Sequence, residues 1–334
     1  METGIMYGYM TSSSQQKENM DCLSDANLWK HYSQENNMRT ASLLSAGICL
    51  LFICCTNAKK ADATVNKTSL PGTSSPVISS SETKPVHEGW KFDTLVFDRK
   101  IHIDNDTTMD AMKVDVSLVY PASSPSYIRL QDIQQSFARV FTGNRKFSGN
   151  ITVAFDTIVG NYISSAMQYG KEWQEEGNEF INFSNYEETK TTHVDFVYQD
   201  LIILSSAHYS YLGGAHGAYY IKYDNIDLRD GSIIEENKLF NPGYENALAE
   251  LIQNAVRERN DSPDEDEHIM LLVEIPEIKP SGNFFFSPEG IVYVYNQYEI
   301  APYVQGPVEI TVPYYKLHSI INNDYAQIIS SIKK

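Results

Sequence analysis

The residues best suited to chemistry lie in two turns and one acidic run. His216 sits in Leu212-Gly213-Gly214-Ala215-His216-Gly217, between two segments rich in apolar and aromatic residues. Glycine tolerates positive φ and close backbone approach, which a tight bend in a sheet requires. In such a bend His216 either meets a ligand, acts as a general base, or fixes the turn through a hydrogen bond from its ring to the backbone. A single histidine with no obvious partner is weak ground for catalysis, so the last role is the default. His193, His208 and His216 would match the three protein ligands of a catalytic zinc. No HExxH-like pair accompanies them, however, and they fall on different strands. No metal or other cofactor is expected. There is no Gly-x-Ser-x-Gly elbow, and Ser205-Ser206 reads as ordinary strand.

Asn296-Gln297-Tyr298-Glu299-Ile300-Ala301-Pro302-Tyr303 is the second turn. It is too polar to be core throughout, and rings beside amides and acids suit a sugar or peptide surface. It could equally be a packed loop in which Tyr298 and Tyr303 cover a sheet edge and Glu299 caps backbone amides. The candidate ligand-binding residues are therefore Tyr211, Gly213, Gly214, His216, Tyr298, Glu299 and Tyr303. A hydrolase would have to pair His216 with Glu299 in one cleft. The third feature is Asp261-Ser262-Pro263-Asp264-Glu265-Asp266-Glu267. It lacks the glycine and terminal glutamate of an EF-hand loop, which leaves a solvated loop or a docking patch for a basic protein through Asp264, Glu265, Asp266 and Glu267.

Apolar periodicity supplies the elements that position these turns. Leu130, Ile133, Phe137, Val140 and Phe141 fall on one helical stripe before Gly143. Phe155, Ile158, Val159, Tyr162, Ile163, Ala166 and Trp173 form a longer one. A third helix spans 244–260. LVFDRKIHID, MKVDVSLVYP, HVDFVYQ, LIILSSAHYSYL, AYYIKYDNIDL, NFFFS, IVYVYN and VEITVP read as strands, and a short helix from Asp324 closes the chain. Pro288-Glu289-Gly290 suits a hairpin turn. Hairpins with helices inserted in blocks predict an α+β fold, an antiparallel sheet with helices packed against it. The strands of 209–231 and 286–312 are expected to be neighbours in that sheet.

The N-terminal quarter reads differently. Ala41 to Ile53 is a 13-residue apolar stretch followed by Cys54-Cys55. A membrane-spanning helix needs about 20 apolar residues, whereas a signal-peptide core is of this length, and Met38-Arg39 gives it a short positive leader. A lipoprotein signal is acylated at a cysteine directly after the core. Cleavage before Cys55 leaves Cys54 at the preceding position, while cleavage before Cys54 would leave bulky Ile53, so Cys55 is the expected lipidation site. Residues 1–37 then become an upstream extension, with Met38 the expected start. Residues 55–89 are rich in Ser, Thr, Pro and Lys and read as a disordered tether, with a mean reach of roughly 30 Å. The folded domain is 90–334, in two halves, 90–231 and 232–334.

Charge narrows the partners. The chain carries a net charge of −17, from 26 Lys and Arg against 43 Asp and Glu. Leaving out Lys17, Lys30 and Arg39, and Glu2, Glu18, Asp21, Asp25 and Glu35, the portion from Cys55 keeps 23 bases and 38 acids, a net charge of −15. Such a field repels nucleic acid and attracts basic partners. From Cys55 onward there is no other cysteine, which excludes disulfides within that portion and cysteine-ligated zinc or iron–sulfur centres there.

Two segments carry a resemblance: YSYLGGAHGAYYIKYDNIDLRDG (209–231) and FSPEGIVYVYNQYEIAPYVQGPVEITVPYYKL (286–317). Together they resemble the extracytoplasmic domain shared by RsiV-type lysozyme-sensing anti-sigma factors, by accessory regions of some peptidoglycan deacetylases and by Bacteroidota-like envelope lipoproteins. The resemblance spans about 90–320 and implies a binding or sensing module, not an enzyme. The chain departs from the anti-sigma pattern, because 1–37 is too short for a sigma-binding domain and 41–55 too short for its membrane span. The expected protein is thus a lipid-anchored envelope module that binds a basic lysozyme-type protein, with peptidoglycan glycan or stem peptide as the alternative ligand.

Overall fold

A computed structural model describes residues 89–177 and 182–333. The expectations for 1–37, for the signal segment 38–54, for Cys55 and for the tether through residue 88 lie outside the described residues. Strand β1 (Lys91–His102) and β2 (Ala111–Ser123) pair antiparallel. Helices α1 (Leu130–Thr142) and α2 (Ile151–Glu176) follow, then β3 (Glu187–Val197), β4 (Leu201–Tyr211) and β5 (Ala218–Asp227). A short helix α3 (Glu236–Leu239) leads to α4 (Glu245–Asn260) and to strands β6 (Phe284–Phe286), β7 (Gly290–Tyr295) and β8 (Val308–Pro313). The described chain ends with α5 (Tyr314–Leu317) and α6 (Ala326–Ile332).

The fold is α+β, with helices packed on sheets. Helix boundaries follow local chemistry. Asn150 starts α2 by accepting from the Val153 N–H at 2.9 Å, which satisfies one of the orphan amides of the first turn. Gly143 ends α1 at φ 64°, a left-handed position that costs glycine nothing.

Two differences from the sequence expectation concern the sheets. Strand β2 runs parallel to β3, through Lys113↔Glu187 to Ser117↔Thr191. A parallel neighbour needs a long crossover, and α1 and α2 provide it. The strands of 209–231 and 286–312 also do not share one sheet. The larger sheet has the order β1-β2-β3-β4-β5, and β6-β7-β8 form a separate three-stranded sheet.

Side-chain amides replace strand pairing along that seam. Asn283 Oδ1 accepts from the Tyr223 N–H at 2.8 Å, and its Nδ2 donates to the Ile221 carbonyl at 2.8 Å. Asn296 does the same one step along, accepting from the Ile221 N–H at 2.8 Å and donating to the Ile221 carbonyl at 3.1 Å. Asn225 returns a bond to the Phe284 carbonyl at 2.8 Å. A primary amide offers the same donor and acceptor as a peptide group. The edge of β5 is therefore satisfied without a neighbouring strand.

Two cores lie on either side of β4. Ile202 and Leu204 face one core with Met112, Val114, Val116, Leu118, Phe137 and Phe141; Leu201 and Ile203 face the other with Leu248, Ile252, Phe286 and Tyr293. All four β4 residues are fully buried. The unbroken run Leu-Ile-Ile-Leu is the mark of a strand covered on both faces.

Candidate functional site

The β4–β5 turn and the loop after β7 meet. In the turn Gly213 has φ +84°, and a Cβ on Gly217 would stand 2.4 Å from the Tyr209 ring. Only glycine lets the chain pass that ring so closely. The bend places His216 against the second loop: its ring stacks on Tyr303 with centroids 4.0 Å apart, and lies 6.5 Å from the Tyr298 ring. His216 Nδ1 stands 2.9 Å from the Gly217 carbonyl, so Nδ1 carries the proton. Nε2 faces the Tyr298 hydroxyl at 3.4 Å. This is the turn-fixing role, combined with a ring contact between the loops.

Tyr298 occupies φ +68°. A bulky residue in the left-handed region is uncommon and costs of order 1 kcal/mol or more. The surrounding turn holds it there, with Tyr298 N–H donating to the Ala301 carbonyl at 2.9 Å and Glu299 N–H to the Asn296 carbonyl at 3.1 Å. Glu299 Oε2 accepts from the Asn296 N–H at 2.8 Å, so its carboxylate caps its own turn instead of meeting His216. Its pKa is nonetheless raised, because the packing around the carboxyl outweighs that single bond. Tyr211 pairs with Glu187 across β3. Burial, with the negative charge of Glu187 and the neighbouring Tyr303 and Tyr211, holds the Tyr209 hydroxyl above its ordinary range. Tyr209, Tyr211 and Tyr303 are thus close neighbours. Gly214, like Ala215, is exposed at the tip of the turn.

The three histidines do not form a site. His193 opposes Ser205 and is exposed, whereas His208 opposes Lys190 on the other face of the sheet and is buried against Tyr162. Among the described residues no group of three or more His, Cys, Asp or Glu is placed to hold a metal ion.

The acidic run joins the same surface. Asp264, Glu265, Asp266 and Glu267 are all exposed, and the last three form a single 3-10 turn. Arg259 at the end of α4 donates to the Glu267 carbonyl at 2.6 Å. Gln305, two residues beyond Tyr303, clamps the next segment by donating to the His268 carbonyl at 2.8 Å and accepting from the Met270 N–H at 2.9 Å. Leu272 N–H donates to the Ile300 carbonyl at 2.9 Å.

Exposed apolar side chains complete this region, and periodicity could not reveal them. Leu212 is 37% exposed, Tyr298 45%, Met270 52%, Leu272 54% and Val304 81%. Each stands alone in a turn or loop, where neither the strand nor the helix period applies. They stand on loops that hydrogen bonds tie together, alongside the acidic run, and contiguous apolar surface of this kind marks interaction sites.

Comparison with known proteins places the second half of this region. Residues 237–315 match DUF3298, described as a protein of unknown function. The match contains α4, the acidic run, β6 to β8 and the Tyr298–Tyr303 loop, and it leaves out the His216 turn. A DUF3298 family member from Bacteroides fragilis has a similar crystal structure, with a TM-score of 0.61, 24% identity, and coverage of 73% of this chain and 97% of that one. A DUF3298 family protein from Pseudomonas aeruginosa gives a TM-score of 0.48 at 14% identity, over 70% of this chain and 94% of that one. The first likeness shows a shared fold. No curated protein matches the chain.

Proposed function

We propose that the chain is a non-enzymatic, lipid-anchored envelope protein that binds a basic, lysozyme-like partner through the surface around Tyr298. The observation that carries this reading is the loop cluster itself. A tyrosine held in a left-handed conformation, apolar side chains on three adjoining segments and four exposed acids occupy one region. His216 Nδ1 and Glu299 Oε2 each bond to local backbone, which supports recognition over hydrolysis. The net charge of −15 from Cys55 onward adds long-range attraction for a cationic partner.

Binding to a basic lysozyme-type enzyme is expected at low salt. It should weaken as the Debye length shortens from about 10 Å at 0.1 M to about 3 Å at 1 M. Neutralising Asp264, Glu265, Asp266 and Glu267 together should slow association, while Tyr298→Ala should speed dissociation. Surface-based kinetics across a salt series reads both effects. Absence of binding at low salt would reject this partner and leave peptidoglycan as the ligand to test, by sedimentation with purified cell wall.

The anchor has its own test. Mass spectrometry of the protein from its membrane should show acyl chains on Cys55 as the first residue. An unmodified Cys55, or a mature chain that keeps Met38 to Cys54, would remove the lipid anchor from this reading.

A further inference from the structure

The two edges of the large sheet are finished in different ways. At β5 the backbone groups are met by Asn283 and Asn296. At the other end β1 is the outermost strand and, among the described residues, is bonded only to β2. It runs for 12 residues, contains no proline, and has its one register shift at Lys91/Phe92, at its start. A long, regular, unpaired edge is a template for another strand. Val96 is 63% exposed at its midpoint.

We propose that β1 pairs antiparallel with β1 of a second copy, so that two five-stranded sheets join about a two-fold axis at Val96. The argument is charge complementarity within β1 itself. Such an axis stands normal to the sheet and keeps its faces in common, so a residue can only oppose one of the same face. Centring on Val96 sets Asp93 against Arg99 twice, once on each side of the axis, and Leu95 against Phe97 on the helix-covered face. Shifting the centre by one residue toward the N-terminus sets Arg99 against Lys91. Shifting it one residue the other way sets Arg99 against Leu95 and Asp93 against Ile101, and a further step puts Asp98 against itself. Among these registers the Val96 one alone sets opposite charges against each other without a like-charge contact, although it also places Lys100 against Phe92 and Lys91 against Ile101.

Both charged groups are available for this pairing. Asp93 and Arg99 are exposed. Among the described residues Arg99 makes no ion pair; its guanidinium donates only to the Asp98 carbonyl at 2.9 Å. Asp93 accepts from the Thr94 N–H at 2.8 Å and from the Tyr120 hydroxyl at 3.4 Å, and takes part in no ion pair among the described residues. The contact lies at the edge remote from the Tyr298 loops, so it stands or falls independently of the proposed partner.

Sedimentation equilibrium of the full-length chain tests this, at 0.15 M salt so that repulsion between two acidic copies is screened. The wild type should be a dimer. Asp93→Arg sets Arg against Arg on both sides of the axis, and Arg99→Asp sets Asp against Asp. Each should raise the dimer dissociation constant roughly tenfold or more. The double variant D93R/R99D restores opposite charges and should dimerise as the wild type does. Thermal melts establish that all three variants stay folded. A monomeric wild type would overturn the proposal. Single variants that remain dimeric, or a folded double variant that stays monomeric, would overturn the Val96 register and the pairing with it.

Discussion

Asn283→Ala is expected to lower the unfolding free energy by about 2–3 kcal/mol, combining the loss of a hydrogen bond with the desolvation cost of a stranded buried donor. The donor is the Tyr223 N–H, whose acceptor is Asn283 Oδ1 at 2.8 Å. Tyr223 is 6% exposed and Asn283 4%, so water cannot take over. The Ile221 carbonyl keeps its second donor, Asn296 Nδ2 at 3.1 Å. That shared acceptor makes the two asparagines interdependent. Removing Asn296 as well strands both the N–H and the C=O of Ile221, so the double variant should lose more than the sum of the single losses. Urea denaturation of the two single variants and the double variant measures the coupling. Strict additivity, or a single loss under about 0.5 kcal/mol, would show that the seam is held by apolar packing such as the Tyr223–Phe285 ring contact, centroids 4.5 Å apart.

This seam also marks where sequence reading ran out. Strands are recognised by alternation, and both the Ile221–Tyr223 stretch and the Phe284–Tyr293 region alternate well enough to be taken for neighbours. Nothing in that signal tells a backbone partner from an asparagine amide that mimics one. The helices were legible, because each buries a stripe at helical spacing: the stripes Leu130 to Phe141 and Phe155 to Trp173 and the span 244–260 fall on Leu130–Thr142, Ile151–Glu176 and Glu245–Asn260. The first half of β3 was not. Glu188, Lys190 and Thr192 point into the covered face and are 2%, 5% and 3% exposed, so the strand reads Glu-Glu-Thr-Lys-Thr-Thr and looks like a loop. Missing that half-strand also hid the parallel pairing with β2, which uses Glu187 to Thr191.

The candidate site was legible to a similar extent. Glycine spacing around His216 and the polar-aromatic run at Tyr298 to Tyr303 pointed to two loops, and the structure stacks His216 on Tyr303. Pairing His216 with Glu299 by residue type overlooked the cheaper use of a carboxylate in a turn, which is to cap the nearest amide. Gln305, which ties the acidic run to the tyrosine loop, carries no sequence signal, since its role depends on backbone groups supplied by His268 and Met270.

The buried carboxyl of β3 has a consequence for stability that alternation alone would not suggest. Burial raises the pKa of Glu188 from 4.5 to about 7, and one of its oxygens has no hydrogen-bond partner. A carboxyl whose pKa is higher in the folded chain binds its proton more tightly there. Its contribution is therefore fully present below about pH 4.5, declines as pH rises, and is gone above about pH 7. At 1.36 kcal/mol per pKa unit the interval from 4.5 to about 7 corresponds to about 3 kcal/mol. Asp195, raised to about 6 by burial against the opposing bond from Ser205, adds a second contribution of the same sign at lower pH. Glu188→Gln supplies a neutral side chain of the same shape at every pH. The variant should match the wild type near pH 4 and exceed its stability by up to about 3 kcal/mol at pH 8. Its stability should still fall with pH through the Asp195 range, but with a smaller total change than the wild type. Chemical denaturation at half-unit steps from pH 4 to pH 8 resolves the difference. Parallel curves for the two proteins would mean that Glu188 titrates as an ordinary solvated acid and that the helix-covered face of β3 admits water.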